Sequence, residues 1–486
     1  VRWVYTPNPD CYLLKSDSLI VRVDLSTASI TYLDKEGGLL LQEDQNIPRI
    51  SEKRVTKQVI YDEHSKHIEK TADGDKEIKN VLRYDTIGHT WKYRINFKWQ
   101  PLEALYGWGS HMEDYMNLRG KELYLCQHNL KAMVPVLNST AGYGLLFDAG
   151  CAMMFKDNSE GSFVELEAAK QIDYYFMKGK TMDAVVANYR MLTGNSPMMP
   201  LYLFGYIQSK ERYVSSDDLI NTLKEYRQRQ IPIDMIVQDW NYWPEGQWGN
   251  MSMNPKFYPD KRKLADEIHS LHAKLMISIW PNAMNCPQHE EFKRKGWLLS
   301  GTSVYDAFNP LARKLYWNYA NNEFFGNGFD AWWCDASEPL DADWTFMKDG
   351  YGADNHRQRW ELNTNLLNSV LGAERSQLYS LYHAKGIYEN QRSTNEDKRV
   401  VNLTRSSYAG QQRYSTITWN GDTYATWQSF AQMIPAGLNF MATGCPYWTV
   451  DIGAFFTKNG PQWFWKGDYD KGVADMGYRE LYTRMF

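Results

Sequence analysis

The chain has 486 residues, of which 43% are hydrophobic and 23% charged, and its formal net charge is −4. That length exceeds what one hydrophobic core usually supports, so two or more domains are expected, and the composition excludes a disordered or fibrous chain. The near-balanced charge gives no reason to expect nucleic acid or an anionic membrane as partner, and no apolar run approaches the roughly 18 residues of a membrane span.

Residues 1–195 read as an N-terminal β-sandwich. Ser18 to Leu41 holds two alternating runs with a turn at Lys35-Glu36-Gly37-Gly38. Trp91 to Trp99 alternates for nine residues, and Gly142 to Gly150 and Phe163 to Glu167 add short strands. Many short strands separated by polar or glycine turns suggest a sandwich. A helix from Thr181 to Leu192 and a linker, Gly194 to Pro200, close this region. The opening residues are not a leader peptide. Removal of a leader ahead of them would imply a periplasmic or extracellular location, and the compartment stays open.

From residue 196 to 486 apolar strands alternate with amphipathic helices. Expected strands are Leu203 to Ile207, Asp234 to Gln238, Leu275 to Trp280, Phe329 to Asp335, Val401 to Arg405, Thr416 to Trp419 and Tyr447 to Asp451. Expected helices include Leu219 to Arg229 behind a Ser215 cap, Lys261 to Ala273, and Thr426 to Leu438. Repeated β–α units mean parallel strands, and this number favours a (β/α)8 TIM barrel. No glycine-rich phosphate loop follows the first strand, which disfavours a dinucleotide fold.

Catalytic groups of such barrels stand at the C-terminal ends of strands. There the sequence places Asp239, Trp240, Trp280, Asp335, Glu338, Arg405, Asp422 and Asp451. No histidine recurs at these ends, which disfavours a metal site or a Ser-His-Asp triad, and no cofactor is expected. The six cysteines show no metal spacing and read as buried thiols. The chain has 19 Trp and 33 Tyr. These suit the flat faces of sugar rings, and equally the core of a large β-rich protein. Carboxylate pairs in an aromatic cleft are the equipment of glycoside hydrolysis.

Four motifs in order resemble glycoside hydrolase family 31. They are Ile236-Val-Gln-Asp239-Trp240, Phe329-Asp-Ala-Trp-Trp-Cys-Asp335-Ala-Ser-Glu338-Pro339, Leu403-Thr-Arg405 running on to Trp419-Asn-Gly-Asp422, and Pro446-Tyr-Trp448-Thr-Val-Asp451-Ile-Gly-Ala-Phe455. The resemblance implies a retaining exo-acting α-glycosidase on an oligosaccharide or glycoside substrate. It makes Asp335 the nucleophile and Asp422 the general acid/base, and has Asp239 and Arg405 bind substrate hydroxyls. Trp240, Trp280, Trp333, Trp419, Asp451 and Phe455 complete the expected substrate-binding set, with Asp451 alternatively a hydrogen-bond partner behind the groups that touch the sugar. Trp332 or Trp333 could instead pack between strand and helix. Glu338 is expected to orient the loop after Asp335, and Cys334 to point into the core. Arg119-Gly-Lys lies in a stretch that resembles the loop this family's sandwich sends over the active site.

Ending at Phe486, the sequence lacks the family's last barrel strand and C-terminal β-domains, so a truncated barrel is expected. Ile207, standing where many α-xylosidases of the similar bacterial branch carry Trp, and the lack of a long carbohydrate-binding insert in residues 1–195 favour an α-galactosidase, with α-xylosidase or α-glucosidase as alternatives. A transglycosylase with an acceptor site at Tyr242 and Trp243, and an inactive carbohydrate-binding protein, are the readings from other classes. The oligomeric state stays open.

Overall fold

The computed structural model describes residues 3–71, 74–342, 356–460 and 466–486. The chain first builds two antiparallel sheets around one core. Cys11–Lys15, Leu19–Asp24, Ile30–Asp34 and Leu39–Glu43 form a meander. It joins Val81–Lys98, Gly161–Ala169, Met153–Asn158 and Glu122–Leu125 in a ten-stranded sheet. The expected turn at Lys35–Gly38 forms because Gly37 takes φ 90° and Asp34 Oδ1 accepts the N–H groups of Glu36 and Gly38 at 3.0 and 2.7 Å. A second sheet holds Leu105–Ser110, Ala132–Ser139, Tyr143–Phe147 and Tyr174–Lys178. Ile95, Phe97, Phe155 and Leu166 from the first sheet share a buried cluster with Leu137, Leu145 and Phe147 from the second.

The strand expected over Trp91 to Trp99 is twice as long. Val81–Lys98 pairs along its length with Arg49–Tyr61. Its first half leaves Tyr84 and Ile87 60% and 64% exposed, so burial does not alternate there and periodicity gives no signal. The helix Met182–Thr193 begins where expected, with the Thr181 hydroxyl accepting Ala184 N–H at 3.2 Å.

Seven parallel strands follow among the described residues, each paired to the next in chain order. They are Ile207–Gln208, Met235–Gln238, Lys274–Ile279, Ala331–Cys334, Asn402–Thr404, Thr416–Trp419 and Trp448–Thr449. The run Leu203 to Ile207, expected as one strand, is a 3-10 turn, Leu201–Phe204, before a two-residue strand. Pro200 starts that turn, and Phe204 stays exposed. The last helix, Met476–Met485, reaches back to the start of the first strand, with the Tyr482 and Tyr206 hydroxyls 3.1 Å apart.

Strand alternation sorts the side chains. Met235, Val237, Met276, Ala331, Leu403, Ile417 and Trp419 fill the barrel interior. Ile236, Leu275, Ile277, Trp332 and Cys334 face outward to the helices. All six cysteines are buried, and Cys11, Cys151, Cys286, Cys334 and Cys445 are unpaired thiols.

Asp330 fastens the N-terminal end of the fourth strand. Its carboxylate meets His269 Nε2 at 2.7 Å, accepts Leu275 N–H at 3.0 Å, and lies 3.3 and 3.5 Å from the Lys398 and Lys274 ammonium groups. Burial pushes this carboxyl up, but His269, Lys398 and the Leu275 N–H together hold it below its usual value. Its folded value is thus below its unfolded one, so the stability it lends is present above the unfolded pKa and is lost as pH falls through the folded pKa. Asp330→Ala is expected to cost about 2–4 kcal/mol at neutral pH by urea denaturation. The difference from the parent should shrink in acid.

Candidate active site

The expected charged residues sit at or just past strand ends at one mouth of the barrel, with Asp451 two residues beyond Trp448–Thr449. Asp239 follows Met235–Gln238, Asp335 follows Ala331–Cys334, Arg405 follows Asn402–Thr404, and Asp422 lies three residues beyond Thr416–Trp419. On the fourth strand the alternation runs Trp332 out, Trp333 in, Cys334 out, and so Asp335 in.

Arg405 gathers the site. It is 3% exposed and grips Glu338 through two contacts, Nε to Oε1 at 2.9 Å and Nη2 to Oε2 at 3.2 Å. Its remaining nitrogen, Nη1, lies 3.1 Å from Asp335 Oδ1 and 3.4 Å from Asp422 Oδ2. Burial pushes the guanidinium pKa down, but Glu338, Asp335 and Asp422 outweigh it and hold it well above the ordinary value. Glu338 is 1% exposed and both its oxygens are engaged by Arg405, so it holds the guanidinium in place. Asp335 Oδ1 also accepts the N–H of Ala336 at 2.7 Å.

Two further aspartates share this field. Burial, and then the charge of Asp335, raises the Asp239 carboxyl well above its usual range, against hydrogen bonds from Trp240 N–H and Ser278. Asp451 is pushed up to about 7 by burial and by Asp422 and Asp335. A carboxyl whose folded pKa is raised binds its proton more tightly folded than unfolded, so it lends stability at low pH and loses it as pH rises towards the folded value. Asp451→Asn is therefore expected to raise the melting temperature above the parent's at pH 8. The gain should be smaller at pH 5 and vanish only near the ordinary carboxyl value of 3.8; an equal gain at pH 8 and pH 5 contradicts the assignment.

The aromatic residues divide by exposure. Trp333 faces the interior, partly exposed, with its ring 4.8 Å from that of Trp419. Trp332 is fully buried among the helices and donates its indole N–H to Gln391 Oε1 at 2.7 Å, so it is the strand–helix packing residue of the two. Trp240, Trp243, Trp248 and Trp280 interlock beside Asp239, with Trp248 at the centre, 5.5, 5.4 and 5.2 Å from the other three. Arg212 lies over Trp240 at 5.3 Å. Trp280 and Trp419 are 5% and 2% exposed, so they back the wall more than they form its surface. Phe455 is 37% exposed and its N–H reaches Thr423 O at 3.1 Å, next to Asp422. Tyr242 and Trp243 are buried, and Tyr242 donates to Ser278 O at 2.9 Å, so they do not line an acceptor site. Among the described residues, no group of three or more His, Cys, Asp and Glu side chains is placed to hold a metal ion.

Arg119 bonds Asp157 at 2.9 Å and the carbonyl of Gln100 at 2.7 Å, which staples the sandwich to itself. Gln127 to Lys131 meets the barrel mouth, and Met112 and Ser110, ahead of Arg119, reach it too, at Asn420 and Trp448. There Asn129 donates from Nδ2 to Asp422 Oδ2 at 2.8 Å and accepts Asp422 N–H at Oδ1 at 2.9 Å. Sequence reasoning missed Asn129. The available signal was Gly421, where a Cβ would come within 2.3 Å of Asn129 Oδ1.

Comparison with known proteins agrees with this architecture. A family model described as the glycosyl hydrolases family 31 TIM-barrel domain matches residues 196–486. An α-xylosidase of Saccharolobus solfataricus is 36% identical over 388 residues, which is 78% of this chain and 51% of that protein. The chain thus spans about half of that relative's length. A family 31 glucosidase of Pseudescherichia vulneris, described as uncharacterized, is 31% identical over 82% of this chain and 72% of its own length. A crystal structure of a family 31 α-xylosidase from a soil metagenome, complexed with xylose, superposes with a TM-score of 0.78 at 24% identity, covering all of this chain and 68% of that one. With the family model matching more than half its length, this chain belongs to glycoside hydrolase family 31.

Proposed function

We propose that this chain carries the catalytic centre of a retaining exo-acting α-glycosidase, with Asp335 as nucleophile, Asp422 as general acid/base and α-xylosides as substrates. The division into a sandwich to residue 195 and a barrel from 196 belongs to the same reading. The observation that carries it is the Arg405 bridge. One nitrogen touches an oxygen of each aspartate, at 3.1 and 3.4 Å. Those contacts laid end to end cap the oxygen–oxygen separation at the bottom of the inverting range, about 6.5–9.5 Å, and accommodate the retaining range of about 5–5.5 Å. Asp335 attacks the anomeric carbon and the leaving oxygen takes the proton of Asp422. Asp422, now ionised, activates the water that releases the sugar. Arg405, held by Glu338, keeps both carboxylates in place.

Xylose replaces the galactose expected from Ile207. Relatives bearing the α-xylosidase name support it, as does the wall of four tryptophans beside Asp239. A sugar without a C6 arm needs that space filled, and a bulky aromatic wall fills it. The test is a panel of aryl α-glycosides: xyloside, glucoside, galactoside and N-acetylgalactosaminide. The xyloside is expected to give the highest kcat/KM. A galactoside winning by tenfold or more, about 1.4 kcal/mol, restores the galactosidase reading.

A further inference from the structure

The Asn129 contact crosses from the sandwich to the barrel and lands on the proposed acid/base. It is made in both directions. Asp422 N–H can only donate, so the amide oxygen of Asn129 must face it, and the amide nitrogen must then face Asp422 Oδ2. The same oxygen lies 3.4 Å from Arg405 Nη1. An oxygen approached by two N–H donors is the one that carries negative charge, which leaves the proton of the acid form on Oδ1.

Asn129 is itself held rigidly. It is 3% exposed, and its own N–H donates to Asp341 Oδ2 at 2.9 Å. Its carbonyl accepts from Arg359 Nη2 at 3.3 Å. The tight turn that presents it puts Leu130 at φ 71° and pairs His128 with Lys131 through their backbones. Lys131 is anchored on the buried carboxylate of Glu113. On the other side, Gly421 lets the turn approach, since a Cβ there would also sit 2.6 Å from Leu130 N. Both partners are thus shaped for this one contact.

We infer that Asn129 is a positioning residue for proton transfer: it fixes the Asp422 carboxyl so that Oδ1 delivers the proton to the leaving group. The inference rests on Asp422 being the acid/base. It makes the sandwich a part of the catalytic machinery through one side chain.

The experiment measures kcat/KM for Asn129→Ala, Asp422→Ala and the double variant of the whole chain on two α-xylosides, one with an activated dinitrophenyl leaving group and one with an unactivated alkyl leaving group. Asn129→Ala is expected to lose about tenfold or more on the alkyl glycoside and little on the dinitrophenyl one. In the Asp422→Ala background the Asn129→Ala loss should vanish. An equal loss on both substrates, or a loss that persists without Asp422, overturns the proposal. If Asp422→Ala alone loses equally on both substrates, the acid/base assignment fails first and the proposal goes with it. Asn129→Asp is the near-isosteric second variant. It puts a carboxylate against Asp422, like charges resist ionising together, and the basic limb of the kcat/KM profile should move to higher pH by about one unit. An unmoved limb contradicts the inference.

Discussion

Asp335→Ala is expected to lower kcat/KM by about 10⁴-fold or more on every α-glycoside, activated or not. As the proposed nucleophile, this carboxylate forms the bond to the anomeric carbon, so no leaving group, however good, bypasses it. The loss should come without unfolding. Asp335 keeps part of its surface at the barrel mouth, with its side chain 15% exposed, while the Arg405–Glu338 pair beneath it remains intact. Removing one of the carboxylates around Arg405 also relieves like-charge repulsion on Asp239 and Asp451, since Asp335 raises both. The melting temperature should therefore be equal or higher. Steady-state assay beside a thermal scan checks both halves: near-parent activity removes the nucleophile assignment, and a collapsed melting transition removes the inference from activity.

Asp422→Ala should split its effect by leaving group. On unactivated glycosides kcat/KM is expected to fall by about 10²–10⁴-fold, the usual range for a general acid. On a dinitrophenyl glycoside it should change by less than about tenfold, because such a phenolate departs without a proton. Turnover of the intermediate should also slow, since Asp422 no longer activates water. Added azide, a nucleophile that needs no base, should then restore kcat and yield the glycosyl azide with the substrate's own anomeric configuration. Equal losses on both substrates and no response to azide would remove Asp422 from the reaction.

The strand-end acids could be read from sequence for a physical reason. An apolar run ending in Asp is what a buried parallel strand opening at a polar mouth looks like: Asp335 follows Trp332-Trp333-Cys334 at once, and Asp239 follows Met235-Ile236-Val237 after Gln238. Alternation likewise assigned Cys334 to the outside. The same alternation puts Trp333 inside and Trp332 outside, which makes Trp332 the strand–helix packing residue of the two. The helices Pro310–Glu323 and Tyr379–Thr394 bury Arg313, His383 and Gln391 among their packed residues, so no clean apolar stripe marks them. Asn129 was invisible for a different reason. Its partner Asp422 is 293 positions away, and a contact between domains leaves no local period in either segment. Arg119, three residues before the strand Glu122–Leu125, had the charged character expected of a loop over a sugar site, yet its charge closes on Asp157 within the sandwich. The sugar's identity was equally hidden. The proposed preference for xylose rests on how four tryptophans from two separate loops pack beside Asp239, a packing that no single residue of the sequence reports.

The most direct test of the central claim is to trap the covalent intermediate. A 5-fluoro-α-xylosyl fluoride should form the ester quickly and hydrolyse it slowly, and the digested protein is then read by mass spectrometry. The account predicts a gain of one fluoroxylosyl unit on the peptide containing Asp335, absent from Asp335→Ala. A label on any other carboxylate, or unlabelled protein that nonetheless turns the reagent over, would contradict it.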